Sequence, residues 1–224
     1  MLYSNKIKGV LFDMDGTVLD SEDLFIKAQL LLLNEYNIYS DSNDLEEFKG
    51  MSHKDFYPKL ISKFNINENL NVLRSKLRTY LHKIMETDLK FIEGFEDFFN
   101  SQIKDSNLKV GIVTNTTRLS YIKIQKCIHI DNYFSFVITV DEALVPKPSP
   151  VPFKKAMEKL SLSANETIVI EDSKTGLLSA VKSEAKVIGI TTSLSESQIK
   201  GINSDITVAN SYDDITNIFK KLNY

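Results

Sequence analysis

The chain has 224 residues, of which 42% are hydrophobic and 25% charged, which suffices for one large or two small domains with a full core. Its net charge of −3 and its scattered basic residues argue against nucleic acid or an anionic membrane as a partner. The single cysteine, Cys127, excludes an intrachain disulfide and a multi-cysteine metal site. We find no apolar run of the roughly 18 residues that a membrane-spanning helix needs, so we expect a cytoplasmic protein.

The first predicted strand, at about residues 7–13, ends in two carboxylates, Asp13 and Asp15. In α/β folds, ligands bind at the carboxyl ends of strands. Gly16 follows directly and allows a sharp turn beside the two acids. Taken alone, the same residues are as typical of a surface turn. Taken with the later segments, they indicate a reactive site.

A long helical segment follows, at about residues 20–91, with no convincing strand. Apolar residues recur there at helical spacing in two stretches. The stretches are Phe56, Leu60, Ile61 and Phe64, and Leu70, Leu73, Leu77, Tyr80, Leu81 and Ile84. We therefore predict a helical insertion between the first strand and the second.

Five further strands are predicted, at about residues 109–114, 136–140, 167–171, 186–191 and 206–209. They alternate with helical patterns, and most are continuous apolar runs of the kind found in strands covered on both faces. This order predicts an α/β fold, a doubly wound parallel sheet with helices on both faces. The Ser-rich stretch of residues 191–197 reads as a surface loop.

Polar residues stand at the ends of these later segments. Thr114 ends the second strand, Lys147 lies in a proline-containing loop, and Glu171 and Asp172 end the fourth strand. Each has an ordinary alternative, since Thr114 and the acids could cap helices and Lys147 could be solvated. In combination with the first acid pair, they supply what Mg²⁺-assisted phosphoryl transfer to a carboxylate needs.

These four segments, in this order, resemble the haloacid dehalogenase superfamily, in particular its sugar-phosphate phosphatases and the β-phosphoglucomutase group. The resemblance covers nearly all of the chain. It implies a Rossmann-like core over residues 1–19 and 92–224, with a helical cap domain inserted over residues 20–91. Such a cap closes over the substrate and excludes bulk water.

The resemblance also implies roles for the acids. Asp13 would be the nucleophile that forms an aspartyl-phosphate. Asp15 would protonate the leaving oxygen and later take a proton from water. The implied cofactor is one Mg²⁺, and its ligands would come from Asp13, Asp15 through its backbone carbonyl, Glu171 and Asp172.

Four residues would bind the phosphate of the substrate. The hydroxyl of Thr114 would donate to it, as would the backbone amides of Asn115 and Thr116 at the start of the next helix. Lys147 would neutralise both Asp13 and the phosphate oxygens in the transition state.

Substrate specificity is expected from the cap and the rim of the site. The segment 49–55 resembles a loop that dips into the active site in this group, and its candidate residues are Gly50, Ser52, His53 and Lys54. A turn at Gly50 with a helix cap at Ser52 explains the same residues, and both interpretations can hold. Lys76 and Arg118 are candidates for a second phosphate, although a solvated surface residue is the more ordinary interpretation of each.

The function implied is a phosphomonoester hydrolase acting on a small phosphorylated metabolite, with a sugar phosphate as the expected class. A phosphoglucomutase is the main alternative. Against it, His53 stands where the mutase group carries an arginine, and Thr17 completes the phosphatase form of the first motif. A phospho-receiver module would be about half this length, and a haloacid dehalogenase would leave Asp15 and the Glu171–Asp172 pair without a purpose. A catalytically silent protein is disfavoured because every charged part of the site is present, and no protein partner is indicated.

Overall fold

A computed structural model describes residues 6–48, 51 and 53–222. The predicted specificity residues Gly50 and Ser52 lie outside these residues, and of His53 and Lys54 only the backbone is described. Within the described part of the chain, no helix has both the length and the apolar character needed to cross a membrane.

The core of the fold is a parallel sheet of six strands. The strands of the described residues are β1 (Gly9–Phe12), β2 (Leu19–Asp20), β3 (Lys90–Phe91), β4 (Lys109–Val113), β5 (Val137–Ile138), β6 (Thr167–Glu171), β7 (Lys186–Ile190) and β8 (Thr207–Ala209). In space the order of the large sheet is β5-β4-β1-β6-β7-β8, with every neighbouring pair parallel. The predicted doubly wound α/β fold is therefore confirmed.

Helices connect the strands and cover both faces of this sheet. The helices of the described residues are α1 (Glu22–Glu35), α2 (His53–Phe64), α3 (Leu70–Asp88), α4 (Phe95–Phe98), α5 (Arg118–Cys127), α6 (Val140–Ala143), α7 (Val151–Lys159), α8 (Lys174–Lys182), α9 (Glu196–Ile202) and α10 (Tyr212–Phe219). Short 3₁₀ turns occupy Asn43–Phe48, Ile130–Asn132 and Ala164–Glu166, and a π-helical turn, Phe99–Ile103, continues α4.

The two faces of the central strand belong to different hydrophobic clusters. Val10 and Phe12 pack with residues of α4, α5 and α10 on one side of the sheet. Leu11 packs with residues of α7, α8 and α9 on the other side. All of β1 is buried, because successive side chains of a strand point to opposite faces and helices cover both. This double coverage explains why the strand reads as one apolar run.

The helical insertion has a hydrophobic cluster of its own. Its buried residues come from α1, the 3₁₀ turn Asn43–Phe48, α2 and α3, together with Ile66 in the loop between α2 and α3. The two connections to the sheet pair with each other as a short antiparallel ribbon, β2 with β3, which the sequence did not predict. Met85, near the end of α3, is buried in the cluster of the sheet rather than in that of the insertion. The division into two domains at residues 20 and 91 stays a prediction.

One predicted strand is shorter than expected. We predicted a strand over residues 136–140, but β5 comprises only Val137 and Ile138. The chain turns into α6 at Val140, where Thr139 and Glu142 form a capping box. A strong helix start thus ends this edge strand early.

Candidate active site

The order of the strands brings the predicted site residues to one edge of the sheet. β1 lies between β4 and β6, so Asp13, Thr114 and Glu171 emerge side by side at the carboxyl ends of three adjacent strands. The backbone N–H of Asp13 donates to the carbonyl of Ile170 (3.0 Å), and that of Thr114 donates to the carbonyl of Ile138 (2.9 Å). The positions of both residues are therefore fixed by the sheet itself. Asp13 and Thr114 are both buried.

Lys147 lies between two carboxylates at this edge. Its ammonium group donates to Asp13 Oδ1 (2.5 Å) and to Glu171 Oε1 (2.7 Å), and it lies 4.8 Å from the centre of the Phe153 ring. Asn115 holds the backbone of Lys147, accepting from its N–H (2.9 Å) and donating to its carbonyl (3.3 Å). We expected Asn115 to act through its own amide N–H, and the structure adds this side-chain contact. The loop that carries Lys147 is thus held beside the acids by its hydrogen bonds to Asn115, at the end of β4.

The charges at this edge do not balance. Asp13, Glu171 and Asp172 are buried, and the ammonium group of Lys147 is buried with them. Burial raises the pKa of Asp13 well above its usual value, Lys147 opposes this, and the neighbouring carboxylates add to it. Burial by itself lowers the pKa of Lys147, but the charges of Asp13 and Glu171 raise it overall. A site with excess buried negative charge is stabilised by a further cation.

Glu171 is held by an almost complete set of donors. Its Oε2 accepts from the backbone N–H groups of Asp172 and Ser173 (2.9 Å each) and from the Ser173 hydroxyl (3.0 Å). Its Oε1 accepts from Lys147. Gly176 lies directly against this carboxylate, since a Cβ there would fall 1.5 Å from Oε1. The close approach therefore requires glycine in the first turn of α8.

Two hydroxyl groups orient Asp172. Thr17 donates to Asp172 Oδ1 (2.9 Å), and Ser193 donates to Oδ2. Gly16 has a positive φ of 77°, and a Cβ there would lie 2.2 Å from Asp172 Oδ2. In addition, Thr192 donates to the Gly16 carbonyl (2.5 Å). The stretch predicted as a surface loop therefore touches the site, and no local signal in the sequence indicated that.

Two other hydroxyl groups orient Asp15. Ser21 donates to its Oδ1 (2.9 Å) and Thr116 to its Oδ2 (3.0 Å). Asp15 is only half-buried, whereas Asp13 is buried. Ser21 stands immediately before α1, so a residue at the entry to the helical insertion contacts the second acid of the first motif. The sequence predicted Asp15, and it predicted Thr116 only as a backbone donor to the phosphate, so neither hydroxyl contact with Asp15 was anticipated.

The acids fit a small hard cation. Carboxylate oxygens of Asp13, Glu171 and Asp172 all lie within 4.8 Å of one another, and all three residues are buried. Mg²⁺ and similar ions prefer oxygen ligands of this kind. The buried cluster could therefore hold a metal ion, which would also offset its negative charge.

The two cations predicted for a second phosphate form ion pairs elsewhere. Lys76 pairs with Glu35 (2.7 Å) and Glu68 (3.5 Å) inside the helical insertion. Arg118 pairs with Glu142 (2.8 Å) between α5 and α6. These carboxylates satisfy the charge of both side chains, so neither is poised for a second phosphate in this arrangement.

Comparisons with known proteins agree with this architecture. The chain is 25% identical over 213 residues to pyrophosphatase PpaX of Oceanobacillus iheyensis, covering 94% of this chain and 96% of that protein. Its fold matches a putative β-phosphoglucomutase from Thermotoga maritima (TM-score 0.82, 20% identity, 96% and 99% of the two chains). It also matches a putative phosphoglycolate phosphatase from Lactobacillus plantarum (TM-score 0.76, 16% identity, 96% and 100%). The sequence profile of the haloacid dehalogenase-like hydrolases matches residues 10–190, and the chain belongs to that family.

Proposed function

We propose that this chain is a Mg²⁺-dependent phosphatase that hydrolyses a small phosphorylated metabolite, with a sugar phosphate as the expected class, through a phosphoryl group carried on Asp13. The observation that carries the proposal is the Asp13 carboxylate, which lies against the Lys147 ammonium group (2.5 Å) and within the buried acid cluster. The names of the relatives, a pyrophosphatase and a putative phosphoglycolate phosphatase, support phosphate-ester or anhydride chemistry.

The first step uses Asp13 as the nucleophile. A carboxylate oxygen of Asp13 attacks phosphorus, and the bond from phosphorus to the leaving oxygen breaks. The leaving oxygen takes a proton from Asp15. Ser21 and Thr116 hold both oxygens of Asp15, so its carboxyl group is already oriented for this transfer.

The second step restores the enzyme. Water attacks the phosphoryl group, Asp15 accepts the proton, and inorganic phosphate leaves with release of the Asp13 carboxylate. Throughout, Lys147 offsets the negative charge on the transferred group, and Thr114 donates a hydroxyl hydrogen bond. The contact of Asn115 with Lys147 keeps this ammonium group in place.

Four residues would hold the metal: Asp13, Glu171, Asp172 and, through its backbone carbonyl, Asp15. When bound, Mg²⁺ supplies positive charge that reduces the repulsion between Asp13 and the incoming phosphate. Thr17 and Ser193 fix the orientation of Asp172 for this task. The hydroxyl partners thus act on the metal site indirectly, as is common for groups behind metal ligands.

The test is phosphate release from a panel of small phosphate esters and pyrophosphate, with Mg²⁺ and with excess chelator. We expect metal-dependent release, and Asp13→Asn should lower turnover by at least about 10³-fold because the nucleophile is lost. The exposed Asp105 offers a matched control, and Asp105→Asn should leave turnover unchanged. Circular dichroism would confirm that both variants fold.

Two results would count against the proposal. Wild-type turnover by a folded Asp13→Asn protein would exclude Asp13 as the nucleophile. Conversion of β-glucose 1-phosphate to glucose 6-phosphate with a bisphosphate primer, without net phosphate release, would instead identify a mutase.

A further inference from the structure

Three successive carbonyl groups in the turn after Asp13 accept hydrogen bonds from distant parts of the chain. The donors are the Thr192 hydroxyl for Gly16 (2.5 Å), the Tyr212 hydroxyl for Thr17 (2.7 Å) and the backbone N–H of Ile92 for Val18 (2.9 Å). Buried carbonyl groups need such partners, and here the partners come from three separate segments. The backbone of this turn is therefore held from several directions at once.

Tyr212 is fixed by packing as well as by this bond. It is the first residue of α10, 195 residues from Thr17 along the chain, and it is buried. Its ring packs against those of Phe95 and Phe98, at 5.6 Å and 5.4 Å between ring centres. Gly94 lies against it, since a Cβ there would fall 3.0 Å from the Tyr212 Cβ. These contacts hold the phenol with its hydroxyl directed at the Thr17 carbonyl.

The Tyr212 hydroxyl keeps its proton. Burial raises its pKa well above the usual value of a tyrosine, and the charges of Asp172 and Asp13 raise this pKa further. The phenol is therefore protonated at neutral pH, and it donates its one proton to the Thr17 carbonyl. The hydrogen bond to the turn is thus kept throughout the neutral pH range.

The Thr17 peptide connects this bond to the proposed metal site. The hydroxyl of Thr17 donates to Asp172 Oδ1 (2.9 Å). Asp15, whose backbone carbonyl is a proposed metal ligand, stands two residues before Thr17. A buried carbonyl that loses its donor is costly, so without the Tyr212 hydroxyl the Thr17 peptide would turn toward another donor. The Thr17 hydroxyl and the Asp15 carbonyl would then both lose their present directions.

We propose that Tyr212 is a positioning residue of the active site, which acts through the Thr17 peptide to orient Asp172 and the Asp15 carbonyl toward the metal ion. This inference rests on the proposed phosphatase function. Tyr212 acts only through Thr17 and takes no part in the chemical step. If its hydroxyl served the fold alone, its loss would lower the melting temperature and leave metal binding unchanged.

The experiment compares Tyr212→Phe with Tyr133→Phe. Tyr212→Phe keeps the ring and its packing, so we expect the variant to fold. Tyr133 is the matched control, because its ring also packs on Phe95 (5.3 Å) but its hydroxyl donates to Glu96, away from the acids. Isothermal calorimetry, well below both melting temperatures, measures the affinity for Mg²⁺. We expect it to fall about tenfold in Tyr212→Phe and to stay within about twofold in Tyr133→Phe.

Steady-state kinetics and a double variant complete the test. At saturating Mg²⁺, kcat of Tyr212→Phe should fall about tenfold while KM stays within about twofold, since the phosphate-binding residues Thr114 and Lys147 lie on other segments. Because Tyr212 acts through Thr17, Thr17→Val combined with Tyr212→Phe should bind Mg²⁺ less than about threefold more weakly than Thr17→Val alone.

Two outcomes would overturn the inference and leave the phosphatase intact. A wild-type affinity for Mg²⁺ in Tyr212→Phe, with only a lower melting temperature, would show a purely structural hydroxyl. Losses that multiply in full in the double variant would show that Tyr212 does not act through Thr17. By contrast, a wild-type protein that binds no Mg²⁺ and releases phosphate from no compound would overturn the proposed function itself.

Discussion

The contact of Gly176 with Glu171 allows a quantitative test of how the site is built. In Gly176→Ala, the new Cβ would lie 1.5 Å from Glu171 Oε1 and 1.8 Å from Cδ, whereas ordinary contact begins at 3.4 Å. The carboxylate must therefore move by about 2 Å, judged from that gap. A shift of this size breaks its bond to Lys147 and at least one bond to the backbone N–H groups of Asp172 and Ser173, which lead into α8.

The free energies can be estimated. Each charge-assisted hydrogen bond contributes about 1.5–3 kcal/mol, so losing two destabilises the fold by about 4 kcal/mol. Alanine is a better helix former than glycine, which returns about 1 kcal/mol. The net loss of about 3 kcal/mol corresponds to a fall in Tm of about 6–12 °C for a chain of this size. Turnover should also fall, since Lys147 loses one of its two anchors.

Thermal denaturation of Gly176→Ala beside Gly201→Ala is the assay. Gly201 also lies in a helix, α9, but a Cβ there meets no atom within 4 Å. We expect Gly201→Ala to be neutral or more stable by up to about 1 kcal/mol. If both variants melt together, Glu171 is not tightly held and our view of this corner of the site is wrong.

Two further predictions concern the hydrogen-bond network and pH. Thr17→Val keeps the shape of the side chain but removes the hydroxyl that donates to Asp172. Calorimetric titration should show that the affinity for Mg²⁺ falls about tenfold or more. An unchanged affinity would refute the role of this hydroxyl. Burial and the charges of Lys123 and Arg78 lower the pKa of His82 from 6.5 to about 4. The unfolded chain therefore binds a proton at His82 more readily than the folded chain. We expect the free energy of unfolding to fall as the pH drops from 6.5 toward 4. Urea unfolding at about pH 7 and pH 5 measures the fall in the free energy of unfolding, and this fall should be smaller in His82→Gln than in the wild type. An identical fall in the two proteins would contradict the prediction.

The sheet and the principal acids could be predicted from the sequence because their signals are local. An apolar run that ends in Asp13 or in Glu171 marks both a buried strand and the group at its end. Parallel pairing then brings those ends to one edge without further information. Lys147 was harder to place, since only its proline-containing loop singled it out, and its position depends on the contact with Asn115.

The partners that orient these acids could not be predicted. Thr17 and Asp172 are 155 residues apart, and Ser193 reaches Asp172 from the loop after the next strand. That contact exists because β7 pairs beside β6, with Gly189 opposite Glu171, so the chain leaving β7 passes the end of β6. Serine-rich segments are typical of solvated loops, and composition does not show where such a loop is placed. Residue types predict the chemistry of a site more readily than the contacts that hold it.

The basic residues of α3 give a second example of contacts that the sequence does not predict, here within one helix. Residues 74, 76 and 78 are all basic, and the sequence drew attention to Lys76. The outcome depends on how the helix is rotated, and Leu73 and Leu77, buried in the cluster of the insertion, fix that rotation. Lys76 then meets Glu35 of α1, whereas Arg74 lies over the Tyr57 ring of α2. A position two residues away along a helix faces roughly the opposite side. The contacts that each of these neighbouring cations makes therefore depend on packing, and only the assembled helices show them.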